Sequence, residues 1–391
     1  MVSAFPPSQG PLSEYAWHLV NGLRNNRRVD KLWVLSDLAE GASRTVDGRV
    51  EIVPCWRFDS VAYPGSVLRT ARTLPIDVLW FNLHMTATGN SRASWFAGLI
   101  APAAARAAGF KVMVTLHNML GITRLDRAGF HARPWDLAAA HAATALVCRA
   151  HAIAVLRPEY VRLLRDRHGA RHVRHMPLGA LGAVNTSGTT RNPGEILAFG
   201  HFGTYKRLEA VIEAVVAVNR GGGCARLTVG GTDSRHAPGY LAAMRARYDA
   251  TGLVDFLGYV PERAVPALFQ RAALAVLPYS TVTGMSSVAI QAATHGLPIV
   301  ATDIPTFRAM EREGLRMEFF QDGDSGDLAR VMGRLLGSPD DQERQRRANL
   351  AYALAQPMET VAERYVDIAE ALASESASAR HAVDPLTARA D

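Results

Sequence analysis

The sequence predicts an α/β protein made of two domains in tandem, each carrying a parallel sheet, with a ligand crevice between them. Three observations lead there. Short apolar runs of strand length alternate with stretches of helical spacing along most of the chain. The strand runs are almost continuously apolar, as in sheets covered by helices on both faces. One stretch, 178–194 (LGALGAVNTSGTTRNPG), interrupts the alternation with Gly, Ser, Thr and Asn and separates two such series. A chain of 391 residues, 48% hydrophobic and 20% charged, has the length and apolar content for two or three cores.

The first series opens on MVSAF, an apolar run short for a buried strand, which reads as a strand clipped at its start. Helical spacing follows over 13–23, with Tyr15, Leu19 and Leu23 on one face. Strands are then expected at 31–36, 50–55, 78–83, 111–116, 145–148 and 152–156, with a helix at 92–108. A helix at 159–167 and a strand at 173–177 close the domain. The second series places strands at 196–199, 226–230, 254–257, 273–277 and 297–302, and helices at 208–219, 240–250, 265–271 and 288–295. The pattern after Asp303 is helical, over 328–336, 339–355 and 358–372. The expected domains are therefore 1–180 and 195–355, with 181–194 as linker, 356–372 as a terminal helix, and 373–391 as a disordered small-polar tail.

The formal charge is +7 with a pI near 9.6. That balance suits anionic partners such as a nucleotide diphosphate or an anionic membrane surface. Nucleic acid is not expected: the basic residues are scattered along helices, and no zinc-finger spacing or RNP-like aromatic motif is present. Three dispersed cysteines, Cys55, Cys148 and Cys224, suit buried thiols rather than a disulfide framework or a zinc site. The sequence has no charged leader followed by an apolar core, and no apolar run near the roughly 18 residues that span a bilayer. The expected compartment is the cytoplasm, with peripheral contact at an inner-membrane surface left open. The histidines His131, His141, His151, His168, His172 and His175 lack HExxH spacing and read as surface residues, so no metal site is expected.

Two loops carry most of the chemical signal. Phe199-Gly200-His201-Phe202-Gly203-Thr204-Tyr205-Lys206-Arg207 follows one strand and precedes a helix. A lysine there can neutralise a diphosphate as a point charge and an arginine can do so bidentately; a solvated loop with two surface cations is the other reading. The second loop, Ser280–Ser287, lies between a strand ending in Pro278-Tyr279 and a helix. Its small residues, Thr283, Gly284, Met285, Ser286 and Ser287, offer amides and hydroxyls to phosphate or sugar oxygens at a helix N-terminus. For either serine alone, an ordinary N-cap is the simpler role.

In order and spacing, this region resembles the donor half of the retaining nucleotide-sugar glycosyltransferases of family 4, which have the GT-B fold of two Rossmann-like domains. The resemblance covers almost the whole chain and is strongest from 196 to 307. It implies that Lys206 sits at the donor diphosphate, with His201 where the family has an arginine and Arg207 where a glycine is common. It puts Thr283 and Gln291 where the family has a pair of glutamates for the donor sugar and the nucleotide ribose. It further implies that Gly10 approaches the donor phosphate and that His117 approaches the donor sugar. Gly230 and Tyr259 would lie near the nucleotide, and His84 and Asn118 on the acceptor side. The 358–372 helix would cross back to the first domain.

The implied activity is transfer of a hexose-type sugar from a nucleotide-diphosphate sugar, a co-substrate, to an acceptor hydroxyl with retention. No cofactor or metal is called for, and His117, Lys206 and Thr283 are the expected catalytic set. The acceptor class stays open among polysaccharide, lipid-linked glycan and small molecule. The uncharged Thr283 and Gln291 keep a second reading alive, a catalytically inactive binding partner of glycosyltransferase type. An epimerase is disfavoured, because no set of carboxylates sits at the strand ends.

Overall fold

The computed structural model describes residues 1–119, 134–184, 186, 191–235, 237–282 and 284–383, with the side chains of 134 and 376–383 left aside. The chain divides into two compact units. One holds the described residues as far as Pro177 together with those from Met358 onward, and the other includes Leu178–Pro357.

In the first unit, helix α1 (Pro11–Arg24) leads to strands β1 (Leu32–Asp37), β2 (Thr45–Asp47) and β3 (Val50–Trp56). Helix α2 (Tyr63–Ala71), strand β4 (Val78–Leu83), helix α3 (Arg92–Ala107) and strand β5 (Lys111–Leu116) follow. Helix α4 (Pro134–Val147), strand β6 (Ala152–Val155), helix α5 (Pro158–His168) and strand β7 (Val173–His175) complete the series. β1 pairs with β3 in parallel and β3 with β2 in antiparallel fashion, while β4, β5, β6 and β7 form a parallel set. The opening residues join the two sets: Val2 bridges Leu35 of β1 and Phe81 of β4 in parallel. Its amide donates to Trp80 O at 2.7 Å and its carbonyl accepts from Asn82 N at 2.9 Å. The MVSAF run is thus a strand reduced to one bridging residue, at the point where the strand order reverses.

The second unit is a single parallel sheet. Strand β8 (Glu195–Phe202) is followed by α6 (Leu208–Arg220), β9 (Arg226–Asp233), α7 (Tyr240–Tyr248) and β10 (Val254–Gly258). Helix α8 (Val265–Arg271), β11 (Leu274–Leu277), α9 (Ser287–Thr294) and β12 (Ile299–Thr302) come next. Helices α10 (Pro305–Arg312), α11 (Ser325–Leu336) and α12 (Pro339–Leu354) surround β13 (Glu318–Phe320). The spatial order is β10-β9-β8-β11-β12-β13. This is the doubly wound order of dinucleotide-binding sheets, with its switch point between β8 and β11. Ile196, Leu227, Leu274 and Val300 form the centre of the core, covered on one side by Val211, Val215, Val331 and Leu335 from α6 and α11.

The final helix, α13 (Met358–Val383), groups with the first unit and packs on α1. Gly22 of α1 permits the close approach, since a Cβ there would lie 3.1 Å from Met358 O and 3.3 Å from Ala362 Cβ. Buried Tyr365 lies against Trp80, with ring centroids 4.5 Å apart.

Three expectations change. The 145–148 run is the last turn of α4 and not a strand. The preceding Ala-rich segment favours helix, and a four-residue apolar run cannot distinguish the two by itself. The terminal helix continues past 372 to Val383, because Ala, Glu and Arg in 373–383 carry helix propensity despite the low apolar content. Residues 178–184 and 191–194, expected to include a linker, group with the second unit and are partly buried there: Leu178, Ala180 and Leu181 are all core residues.

Arg191 explains much of that attachment. Its guanidinium donates to five carbonyls: Phe269 O, Gln270 O and Ala272 O at the end of α8, and His295 O and Gly296 O at the end of α9. The last carbonyls of a helix lack intrahelical partners and carry partial negative charge, so one cation satisfies two helix C-termini at once. Burial and nearby Arg346 lower its pKa to about 10, which leaves it charged at neutral pH. Arg191→Ala should cost about 2–4 kcal/mol of stability, read as a lower urea midpoint for the chain. A midpoint within error of wild type would remove Arg191 from this role.

Candidate functional site

The second unit brings its glycine-rich segments together at the carboxyl ends of β8, β9 and β11. Phe199 and Gly200 of β8 stand opposite Gly230 and Gly231 of β9. Gly231 has φ 134°, and a Cβ there would lie 1.9 Å from Gly200 O. Gly200 has φ 113°, and its Cβ would lie 2.7 Å from Lys206 Nζ and 3.4 Å from Val288 Cγ2. Only glycine fits either position. The space left at Gly200 is filled by the Lys206 ammonium on one side and by the first turn of α9 on the other.

Lys206 ends a 3₁₀ turn, Thr204–Lys206, and is 7% exposed. Its Nζ lies 3.5 Å from Phe199 O, 5.3 Å from the Phe202 ring centroid and 4.8 Å from that of Tyr279. Both ring distances are in the cation–π range. The β8 and β11 loops are tied together where Ser280 N donates to Tyr205 O at 2.8 Å. A buried ammonium at the switch point of a doubly wound sheet is suited to a compact anion.

The neighbouring residues divide into several environments. His201 Nδ1 lies 3.0 Å from Thr232 Oγ1, and the His201 carbonyl accepts from Tyr205 Oη at 3.3 Å. Arg207 adopts the left-handed conformation, φ 37°, at the start of α6, a region unfavourable to non-glycine residues. Its guanidinium pairs with Asp322 at 3.5 Å. Ser286 is the N-cap of α9, accepting from Ala289 N at 3.3 Å, as its ordinary capping role predicts. Ser287 begins the helix, with Gly284 and Met285 just before it; Thr283 lies outside the described residues. Gln291 is 7% exposed, and its buried Oε1 has no hydrogen-bond partner among the described residues. Such an orphaned acceptor costs about 1–3 kcal/mol until a donor arrives. Tyr259 is 44% exposed, just past the edge strand β10 and two strands away from β8.

In the first unit, Gly10 with φ 140° precedes α1, and among the described residues no atom lies within 4 Å of a Cβ built there. His84 and His117 follow β4 and β5 directly. His117 Nε2 lies 2.6 Å from Asn82 Oδ1, while Asn82 Nδ2 donates to Ser3 Oγ at 3.0 Å. That chain assigns the His117 proton to Nε2 and leaves Nδ1 as an acceptor. The ring meets Tyr15 edge-on, with centroids 4.8 Å apart. Burial, then the charge of nearby His84, lowers the His117 pKa to about 3, and burial lowers that of His84 to about 4. His84 Nδ1 accepts from Thr86 N at 3.4 Å, and Asn118 Oδ1 accepts from Met85 N at 2.9 Å. Both histidines are therefore neutral at physiological pH and act as hydrogen-bonding groups, not as cations.

Sequence reasoning missed Tyr279, Tyr205, Asn82 and Asp322. Tyr279 had a usable signal, since an aromatic directly after an apolar strand at the switch point stands beside the ligand crevice. Asn82 and Asp322 had none, because their partners are 35 and 115 positions away.

Comparison with known proteins bears on the fold. HepE of Anabaena, solved in complex with UDP, superposes with a TM-score of 0.63 at 17% identity over 94% of this chain and 98% of HepE. The HepE complex with UDP-glucose gives a TM-score of 0.65 at 15% identity over 95% and 98%. Sucrose-phosphate synthase of Thermosynechococcus elongatus gives 0.71 at 14% identity over 96% of each chain. The chain has the GT-B fold. Its residues 193–338 match the family described as glycosyl transferases group 1, so the second unit carries a domain of that type. No curated protein matches the sequence.

The neutral histidines make a prediction about acid. Their pKa values are lower in the folded chain than the ordinary 6.5, so the unfolded chain binds more protons below that pH. Their contribution to stability is complete above pH 6.5 and is lost as pH falls toward 4 and 3. From pH 7 to pH 5, His117 alone should cost about 2 kcal/mol. Urea midpoints at the two pH values, measured for wild type and His117→Gln, should show a smaller drop in the variant. Equal drops would refute the assignment.

Proposed function

We propose that this protein is a glycosyltransferase that takes a hexose-type sugar from a uridine diphosphate sugar and passes it to an acceptor hydroxyl with retention of configuration. The observation that carries the proposal is the buried Lys206 ammonium at the β8/β11 switch point, held against Gly200 beside the first turn of α9. The glycosyl transferases group 1 match over 193–338 supports it. The choice of uridine follows the UDP and UDP-glucose bound by HepE.

In this scheme the bond between the anomeric carbon and the β-phosphate oxygen breaks while the acceptor oxygen attacks from the same face. The acceptor proton passes to a leaving phosphate oxygen. The protein's task is to hold the charge developing on the diphosphate with fixed donors. Lys206 and the amides of Gly284–Ser287 fill that role, with His201 at the edge. Gln291 Oε1 accepts from a ribose hydroxyl, which satisfies its orphaned oxygen. Arg207, paired with Asp322, reaches the phosphate only by exchanging that partner. Neutral His117 offers Nδ1 to a sugar hydroxyl and orients it; with so low a pKa it is a weak base. Gly230 lines the nucleotide end and Tyr259 stacks near the base. On the first unit, Gly10 lies toward the donor phosphate, and His84 and Asn118 toward the acceptor. The scheme requires no metal. The acceptor is a polysaccharide, a lipid-linked glycan or a small molecule, and the chemistry suits a cytoplasmic enzyme with or without peripheral membrane contact.

A second reading is a glycosyltransferase-like binding partner without activity. It is favoured by the absence of a carboxylate at 283 and 291, where the resembled family carries glutamates. Thermal unfolding with UDP, GDP, ADP and dTDP tests the site. UDP at about 100 times its Kd should add about 2.7 kcal/mol, seen as a raised midpoint and lost in Lys206→Ala. Release of UDP from UDP-hexose in the presence of acceptor then separates the readings. A UDP shift without turnover favours the inactive partner, and no shift with any nucleotide contradicts the transferase reading.

A further inference from the structure

At the opposite end of the first unit's sheet from His84 and His117, a cavity of about 180 Å³ opens beneath the amino ends of β6 and β7. Arg106, His151, His172, Arg174 and Glu375 line it, and its floor is the aliphatic face of α13. Lys111 stands beside it, close enough to act electrostatically on His151 together with Arg106 and His172. The counter-charge is slight: Glu375 pairs with Lys111 at 3.7 Å, but its side chain is 67% exposed. Exposed pairs of this kind contribute little. Two arginines and one largely exposed carboxylate, Glu375, thus share a small concave space with Lys111 beside it, a positive balance that favours an incoming anion.

The donors are in place for such an anion. Val112 N donates to His151 Nδ1 at 3.0 Å, which assigns the proton of the neutral ring to Nε2. Burial is the main cause of the lowered His151 pKa, and the nearby Arg106 and Lys111 charges add to it. The ring thus remains a neutral donor. Arg106 spends part of its fork on Arg149 O and keeps further N–H groups, and Arg174 is exposed with no ion-pair partner among the described residues. The volume is below the roughly 300 Å³ of ordinary small-molecule pockets, which selects a compact oxyanion over a nucleotide.

We propose that this pocket is a binding site for a phosphate group, held by Arg106 and Arg174 with His151 and His172 as additional ring donors. The site is separate from the nucleotide site of the second unit and does not depend on it. A free phosphate and the headgroup of an anionic lipid present the same chemistry to it. Two guanidiniums suit either source, because each can bond two phosphate oxygens at once.

The test follows the His151 and His172 ring signals of the full chain by NMR while inorganic phosphate is added at constant ionic strength. Saturable shifts are expected in both rings. Arg174→Gln should weaken binding about ten-fold, and Arg174→Glu should abolish it with the melting temperature unchanged. In a second arm the chain is sedimented with phosphatidylcholine vesicles, with or without phosphatidic acid. Co-sedimentation that needs phosphatidic acid, is competed by phosphate and is lost in Arg174→Glu identifies a lipid headgroup as the source. Ring shifts without co-sedimentation identify free phosphate. The proposal is overturned if neither arm depends on Arg174, or if phosphate leaves both rings unmoved. Because both readouts are local to the first unit, failure here leaves the nucleotide site untouched.

Discussion

The close pairing of Gly200 with Gly231 is the constraint on which the candidate site depends. A Cβ at Gly231 would run into Gly200 O of the adjacent strand, and a Cβ at Gly200 would run into Lys206 Nζ and Val288 Cγ2, so neither position takes a side chain. The room this creates is occupied by the Lys206 ammonium, buried under the Phe202 and Tyr279 rings. Placing a charge there has a desolvation cost that only a fixed polar surrounding or an incoming anion offsets. The β8 loop, the β11 loop and the first turn of α9 are all positioned by what fits around that cation.

The two units use opposite electrostatic means. In the second, charge is kept within reach of the switch point: Lys206 buried, Arg207 paired with Asp322. In the first, His117 and His84 sit at the ends of β4 and β5 and are held neutral by burial. Within its own unit, a neutral imidazole suits hydrogen bonding to hydroxyl groups and a buried ammonium suits a compact anion. The Arg191 staple serves the same site from behind. By fixing the carboxyl end of α9, it fixes the position from which that helix presents Ser286 and Ser287.

Most of the strands, though not their spatial order, were legible in the sequence because buried parallel strands leave continuous apolar runs. The 78–83, 111–116 and 265–271 segments appear as β4, β5 and α8 at the same positions. The strands β2 and β13 were missed. Each has three residues, and β2 is fully exposed, so neither leaves a periodic apolar trace. Helix α2 falls where a helix between strands is expected, but it was not delimited because YPGSVLRTA carries proline and glycine in its first turn. In the site, Gly200, Lys206 and Gly230 were recognisable from loop position and composition. What the sequence could not reveal was engagement: Arg207 bound to Asp322, Ser286 capping its own helix, and Gln291 with an unsatisfied oxygen. Such facts depend on residues brought together from distant parts of the chain.

The central claim is that the buried Lys206 ammonium is a diphosphate site. A crystal structure of the chain grown with UDP tests it most directly. A β-phosphate oxygen is expected within hydrogen-bond distance of Lys206 Nζ, seated at Gly200 before the first turn of α9, with Gln291 Oε1 accepting from the ribose. A nucleotide bound elsewhere, with Lys206 still packed against the Phe199 carbonyl and the two rings, would contradict it.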